Sequence, residues 1–215
     1  HIMKRRDDHW MSDYAWFDSF EVLVINDLTA RVAALSSGKV HAINRVDPKT
    51  IDLLTKAPGL QVNNVSGRGH YVFIAHCDTA PFDNNDLRLA LKYAMNREEM
   101  VYKILRGYGS VGNDFPINAA YALFPDAIPQ RAFDTDKAAF HYKKSGHDGT
   151  PIALRTSDAA FNGAESAAVL FQQTCATAGI PIEVKREPAD GYWSNVWLKK
   201  PWCGSYWGGR PTEDW

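Results

Sequence analysis

The sequence predicts an α/β fold, a mixed sheet flanked by helices, and three observations carry that reading. Short runs rich in Val, Ile and Phe alternate along the chain with segments whose apolar residues recur at helical spacing. Asp, Asn or Pro stands where those helical segments begin, and Gly stands where most of them end. The resulting β-α-β-α order is that of helices packed on a largely parallel or mixed sheet.

Residues 17–26 read as the first strand. Asp27 then offers an N-cap, Leu28, Val32 and Leu35 form an apolar stripe, and Gly38 supplies a stop. Residues 40–46 alternate as a second strand. Asp47-Pro48 is a cap followed by proline at the first helical position, opening a short helix through Ile51 and Leu54 to Pro58-Gly59. Residues 60–65 and 71–77 are two further strand candidates. The strongest helix pattern follows, capped by Asn85 or Asp86, with Leu87, Leu91, Ala94, Met95, Val101 and Leu105 on one broad face and Gly107 at its end. Residues 115–129 hold three prolines together with Ile117, Tyr121, Leu123 and Phe124, the composition of an ordered loop. A helix over 136–144 stops at Gly146, and residues 152–156 form a strand. Asn162 and Glu165 have capping-box spacing before a helix with Leu170, Phe171, Cys175 and Ala178 inside. Residues 180–186 are the last strand of this series.

Composition excludes several classes. A net charge of -1 over 215 residues gives no global basic field, which argues against nucleic acid as the partner. The longest apolar runs, such as Val22-Leu23-Val24-Ile25, fall far short of the roughly 20 residues that span a bilayer. The start, HIMKRRDDHW, has charge and no apolar signal-peptide core, and the chain stops at Trp215 without a helix cap or polar tail. The sequence reads as one lobe over 1–215, cut from a longer protein at both ends. Cys77, Cys175 and Cys203 are odd in number and far apart and form no C-x-x-C, so neither a zinc site nor a disulfide framework is expected. Cys77 and Cys175 read as small core residues.

The motifs that could carry catalysis are sparse. Gly107-Tyr-Gly109-Ser-Val-Gly112 fits G-x-G-x-x-G, but a dinucleotide loop needs a strand before it and a helix N-terminus after it. Here the glycines follow a helix, so they read as a C-cap and a turn. His76-Cys77-Asp78 is the one compact group of potential metal ligands, and neighbours on a strand point to opposite faces. No cofactor and no metal are expected.

The tryptophans are more informative. Trp10 and Trp16 lie near the start, and Trp193, Trp197, Trp202, Trp207 and Trp215 near the end, with none between Trp16 and Trp193. Large amphipathic rings of this kind serve binding surfaces as well as cores. If the two ends of the chain meet, they make one aromatic-rich surface, and Arg210 is the cation within it.

Several stretches resemble the extracellular solute-binding proteins of ABC importers, specifically the peptide/nickel-binding family 5. The clearest is Pro81-Phe82-Asp83-Asn84-Asn85-Asp86-Leu87-Arg88-Leu89-Ala90-Leu91-Lys92-Tyr93-Ala94-Met95-Asn96-Arg97, similar to that family's P-F-D-D-x-x-V-R-x-A-L-x-Y-A-I-D-R helix. Asp8-His9-Trp10 stands where the family has P-D-Y-W. Residues 33–42 resemble its A-L-x-x-G-E-V-D turn, and Trp193 and Trp207-Gly208-Gly209 its return crossover. The resemblance implies a class II periplasmic binding fold, with this chain forming most of the second of two lobes that close on a ligand. It implies scaffold for the helix near Pro81 and ligand contacts from the crossover segments. Peptide binders of the family often carry W-x-x-D, whose Asp pairs with the ligand's α-ammonium, and here that pattern reads Trp207-Gly208-Gly209-Arg210. A cation there repels an ammonium and attracts a carboxylate, sulfonate or phosphate.

The expected function is therefore a non-enzymatic substrate-binding component of an ABC import system. It captures a small peptide-like or anionic solute between two lobes, at the periplasmic or cell-surface side, and delivers it to a membrane permease. The expected ligand-binding residues are Trp193, Trp197, Trp202, Trp207 and Arg210. The alternative is a small-molecule α/β enzyme acting on a carboxylated or phosphorylated substrate, supported by Arg210, the glycines and the His-Cys-Asp cluster, but without a nucleophile–base arrangement.

Overall fold

Residues 1–11 and 13–215 are described by the computed structural model, and they fall into two units, His1–Leu60 and Gln61–Trp215. In the first, β1 (Ile2–Lys4) pairs antiparallel with β2 (Ser19–Glu21), Ile2 opposite Glu21 and Lys4 opposite Ser19. The strand expected over 17–26 is thus three residues long, because β1 offers only three partners. Helix α1 (Leu28–Ser36) begins as its sequence demands: the Asp27 carboxylate accepts the Ala30 N–H at 2.7 Å. Gly38 takes the left-handed φ of +72° that ends it. The Asp47 side chain accepts from the Lys49 N–H at 3.0 Å and opens a 3-10 turn, Pro48–Thr50, that runs into α2 (Ile51–Leu54). Residues 40–46 are not a strand, since no neighbouring strand among the described residues supplies the ladder their alternation suits.

The second unit is built on a four-stranded sheet in the order β3-β6-β4-β5. These strands are β3 (His70–Ala75), β4 (Ile152–Thr156), β5 (Ile182–Arg186) and β6 (Trp202–Trp207). Strands β4, β5 and β6 run parallel and β3 antiparallel to β6, so the sheet is mixed. The parallel β4–β5 pair needs a crossover, and α6 (Ala164–Thr177) supplies it. Helices α3 (Asn85–Ala94) and α5 (Thr135–Ser145) pack with α6 around Phe82, Leu87, Leu154, Phe171, Ile180 and Trp202. Gly146, at φ +70°, closes α5 where the sequence placed its stop.

Five expectations are corrected here. The helix expected to run to Leu105 is two helices, α3 and α4 (Arg97–Lys103), because Met95 leaves helical geometry and the Asn96 side chain caps the second by accepting from Glu99 N–H at 3.1 Å. The cap of α3 is Asn84, one residue before the expected pair. At α6 the capping acceptor is Asp158, which takes the Glu165 N–H at 3.0 Å; Gly163 at φ +83° turns the chain into the helix. Residues 60–65 form no strand. Cys77 is exposed, since β3 ends at Ala75 before reaching it, whereas Cys175 is buried and burial pushes its thiol pKa up.

The loop after α4 is held by charge. The Asp114 carboxylate accepts from both Arg97 and Arg131, the latter at 2.5 Å, and Gln130 donates to the Gly112 carbonyl at 2.8 Å. This tie closes the segment that carries Tyr121, whose side chain is buried at 4% exposure. Among the described residues no helix is long and apolar enough to cross a membrane.

Candidate functional site

Strand β6 organises the candidate site because its two ends meet different surroundings. Its first residue, Trp202, is 3% exposed and packs on Phe82 and Phe171 at centroid separations of 5.3 and 6.0 Å. The expectation that Trp202 meets ligand is therefore corrected: the residue is core, held there by two aromatic neighbours on α6 and the turn before α3. Its last residue, Trp207, lies opposite His70 of β3 and is only partly buried.

Helix α7 (Tyr192–Asn195) brings two more indoles to that end. Tyr192 is buried, donates its hydroxyl to the Gly204 carbonyl at 2.6 Å, and so pins α7 to β6; burial pushes its phenol pKa up. Trp193 and Trp197 are four residues apart and meet on one side of this turn. Trp193 packs edge-on against Trp197 at 5.9 Å and Tyr206 at 5.5 Å, and Trp197 against Trp207 at 6.1 Å. The chain then turns back through Gly208-Gly209-Arg210-Pro211 and a 3-10 turn, Thr212–Asp214, which sets Trp215 against Trp207 at 5.7 Å and His70 at 5.4 Å. The result is a ladder of rings whose edges meet faces, the arrangement favoured by the aromatic quadrupole. Trp193 remains 38% exposed and Trp215 36%.

Tyr121 fixes the returning segment. Its hydroxyl accepts the Trp215 indole N–H at 2.9 Å and the Arg210 backbone N–H at 3.4 Å, filling both lone pairs of one buried oxygen. The Arg210 guanidinium lies over Trp207 at 5.2 Å and Trp215 at 5.9 Å. Arg68 lies over the Tyr121 ring at 5.0 Å and donates from Nε to the Ala120 carbonyl at 3.4 Å. Gly209 is required between the two arginines, since a Cβ there would come within 2.6 Å of the Arg68 Cβ. The Trp197 indole N–H is buried without a hydrogen-bond partner among the described residues. Burial holds His70 below the ordinary histidine pKa, with the Arg68 backbone acting in the opposite sense.

Four of the five residues expected at the site, Trp193, Trp197, Trp207 and Arg210, thus come together, and Trp202 stands apart. Sequence reasoning missed Tyr121, Arg68 and His70, which reach the cluster from a distant loop and from the start of β3. Trp10 and Trp16 belong to the first unit, where both are exposed, Trp10 stacked on His9 and Trp16 on Tyr14. The G-x-G-x-x-G segment is a turn: Gly107 has φ +81°, and a Cβ at Gly109 would meet Leu105 at 2.7 Å. Among the described residues no group of three or more His, Cys, Asp or Glu side chains is placed to hold a metal. Indole faces and two guanidinium groups suit binding of a solute with an apolar body and negative charge.

Comparison with known proteins gives a consistent outcome. The family model described as bacterial extracellular solute-binding proteins, family 5 Middle, matches residues 1–215. Di/tripeptide-binding protein 1 of Pseudomonas aeruginosa (strain UCBPP-PA14) is 24% identical over 152 residues, 70% of this chain and 28% of that protein. The glutathione-binding protein GsiB of Salmonella paratyphi A is 27% identical over 185 residues, 85% of this chain and 35% of that protein. The chain therefore spans about a third or less of these relatives. The periplasmic binding protein DppA of Helicobacter pylori, solved with the peptide STSA, superposes with a TM-score of 0.80 at 20% identity, over 97% of this chain and 40% of that one.

Proposed function

This chain belongs to the family 5 bacterial extracellular solute-binding proteins, and from that premise we propose that it forms most of one lobe of a protein that captures a small anionic or peptide-like solute and delivers it to an ABC permease. Members of the family are transport binding proteins, not enzymes, which removes the small-molecule enzyme as a reading. The ladder of Trp193, Trp197, Trp207 and Trp215 would cover the solute's apolar body, and Arg210 would hold its negative group. Closure of the two lobes would be driven by the difference in affinity between closed and open forms. The solute would be met at the periplasmic or cell-surface side of the membrane, as the family's description as extracellular supports.

One observation carries this reading. At the position where the resembling peptide binders hold an Asp, Arg210 presents a guanidinium over two indoles with no carboxylate partner among the described residues. The relatives' printed ligands, di- and tripeptides and glutathione, all carry carboxylates that such a cation would hold, together with an ammonium that a different group would have to meet.

The test is a thermal-shift screen of the complete protein with free peptides, N-blocked peptides, and small dicarboxylates or sulfonates. A ligand at a hundred times its Kd stabilises the folded state by about 2.7 kcal/mol, a readily measured shift. N-blocked or anionic compounds should stabilise, and Arg210→Asp should remove the effect. Stabilisation confined to ligands with a free ammonium would overturn the assignment of Arg210.

A further inference from the structure

We propose that Arg68 and Arg210 form a two-point anion site across Gly209, so that the solute carries two separate negative groups. The inference rests on the binding reading above and deepens it by naming the ligand class.

The Arg68 side chain runs along the Gly209 backbone: from the position a Cβ would take there, Arg68 Cβ lies at 2.6 Å and its Cγ and Cδ at 3.5 Å. Arg210 follows immediately. Both arginines are then fixed by one residue, Tyr121, whose ring carries the Arg68 guanidinium and whose hydroxyl takes the Arg210 backbone N–H. Gly69, next to Arg68, is also tight against the turn, as a Cβ there would sit 3.3 Å from the Trp207 carbonyl. Two arginines far apart in sequence are therefore anchored beside one glycine, Arg68 by its stem and Arg210 by its backbone.

Arg97, Arg131, Arg155 and Arg186 of the same unit each pair with a carboxylate, to Asp114, Asp114, Glu187 and Glu165 respectively. Arg68 and Arg210, like Arg88 and Arg106, pair with none among the described residues, and of these four only Arg68 and Arg210 lie over rings of the candidate site; Glu213 and Asp214 lie on the same returning segment as Arg210 and form no ion pair with either of those two. Arg68 uses Nε for the Ala120 carbonyl, which leaves the terminal edge of its fork for a ligand. A guanidinium binds one carboxylate through two parallel N–H bonds, so two guanidinium groups held apart by aromatic stacking select two anionic groups rather than one. Stacking on a ring supplies attraction to a cation without neutralising it, so each guanidinium keeps its charge for an anion.

The test compares straight-chain dicarboxylates of four to eight carbons with their half-amides, by calorimetric titration of the complete protein at neutral pH. The native protein should prefer the best dicarboxylate over its half-amide by about tenfold, the worth of one charged hydrogen-bonded contact. Arg68→Gln should abolish that preference while leaving half-amide affinity within about twofold, and Arg210→Gln should weaken both series. Gly209→Ala, which displaces the Arg68 side chain without removing its charge, should also abolish the preference and keeps the test open should Arg68→Gln fold poorly. Binding of both series with an unchanged preference in the Arg68 and Gly209 variants would overturn the two-point site and leave the single anchor at Arg210 standing. Binding of neither series to the native protein would overturn the anion reading and this inference with it.

Discussion

Asp114 is the residue whose loss should reach furthest through the second unit. Its carboxylate is 14% exposed and lies between Arg97 at 16% and Arg131 at 26%. The Arg97 pKa is lowered chiefly by burial, with Arg131 adding a like charge, and Asp114 opposes both. Asp114→Ala therefore leaves two partly buried guanidinium groups facing one another. Breaking a fully buried pair from one side costs about 3–5 kcal/mol, and the partial exposure here reduces that to roughly 2–3 kcal/mol. For a chain of this size that corresponds to a fall in Tm of about 5–10 °C. Urea denaturation of the single variants Asp114→Ala and Arg97→Met and of the double variant isolates the coupling. The double variant should be less destabilised than the sum of the singles by at least about 1 kcal/mol. Additivity, or a loss below about 0.5 kcal/mol for Asp114→Ala, would refute the view that this carboxylate holds the loop carrying Tyr121.

Two further outcomes follow from the same packing. Trp202→Phe should lower stability by about 1–2 kcal/mol through the volume lost between Phe82 and Phe171 while leaving ligand affinity unchanged, and equal stability with weakened binding would return Trp202 to the site. The second concerns pH: burial holds the His70 pKa below that of the unfolded chain, which titrates at about 6.5. Above that value both states are neutral and His70 contributes nothing. As pH falls below it the unfolded chain takes up the proton first, so stability declines until the folded pKa is passed. His70→Gln should flatten Tm between pH 7.5 and 5, and a slope identical to that of the native protein would exclude His70 as its source.

Where the signal is local, the fold was legible from residues. Asp27 before its stripe, Gly146 after its helix and the 152–156 strand are visible because caps and alternation act within a few positions. The break at Asn96 was also written in the chain, as Asn96 with Glu99 three residues on, but the continuous apolar face across Ala94, Met95 and Val101 masked it. Residues 40–46 and 60–65 have strand patterning without strand structure, because alternation specifies a face and a ladder still needs a neighbour. The candidate site was half legible. Tryptophan clustering marked Trp193, Trp197 and Trp207, and the departure at Arg210 marked the cation. Trp202 looks the same as its neighbours in sequence, and only the neighbours β6 acquires in space separate its buried end from its open one. Tyr121 and Arg68 carry no local signal at all, since their role arises from contacts made across half the chain.

The edge-to-face ring ladder has an optical consequence. Trp193, Trp197, Trp207 and Trp215 lie in series at 5.7–6.1 Å with ring planes inclined by 63–75°, so their excited states are coupled in a chiral array. Near-ultraviolet circular dichroism of this protein should be dominated by that array, and a solute sliding against one ring would alter the shared signal. The proposed binding surface thus carries its own spectroscopic reporter, with no label required.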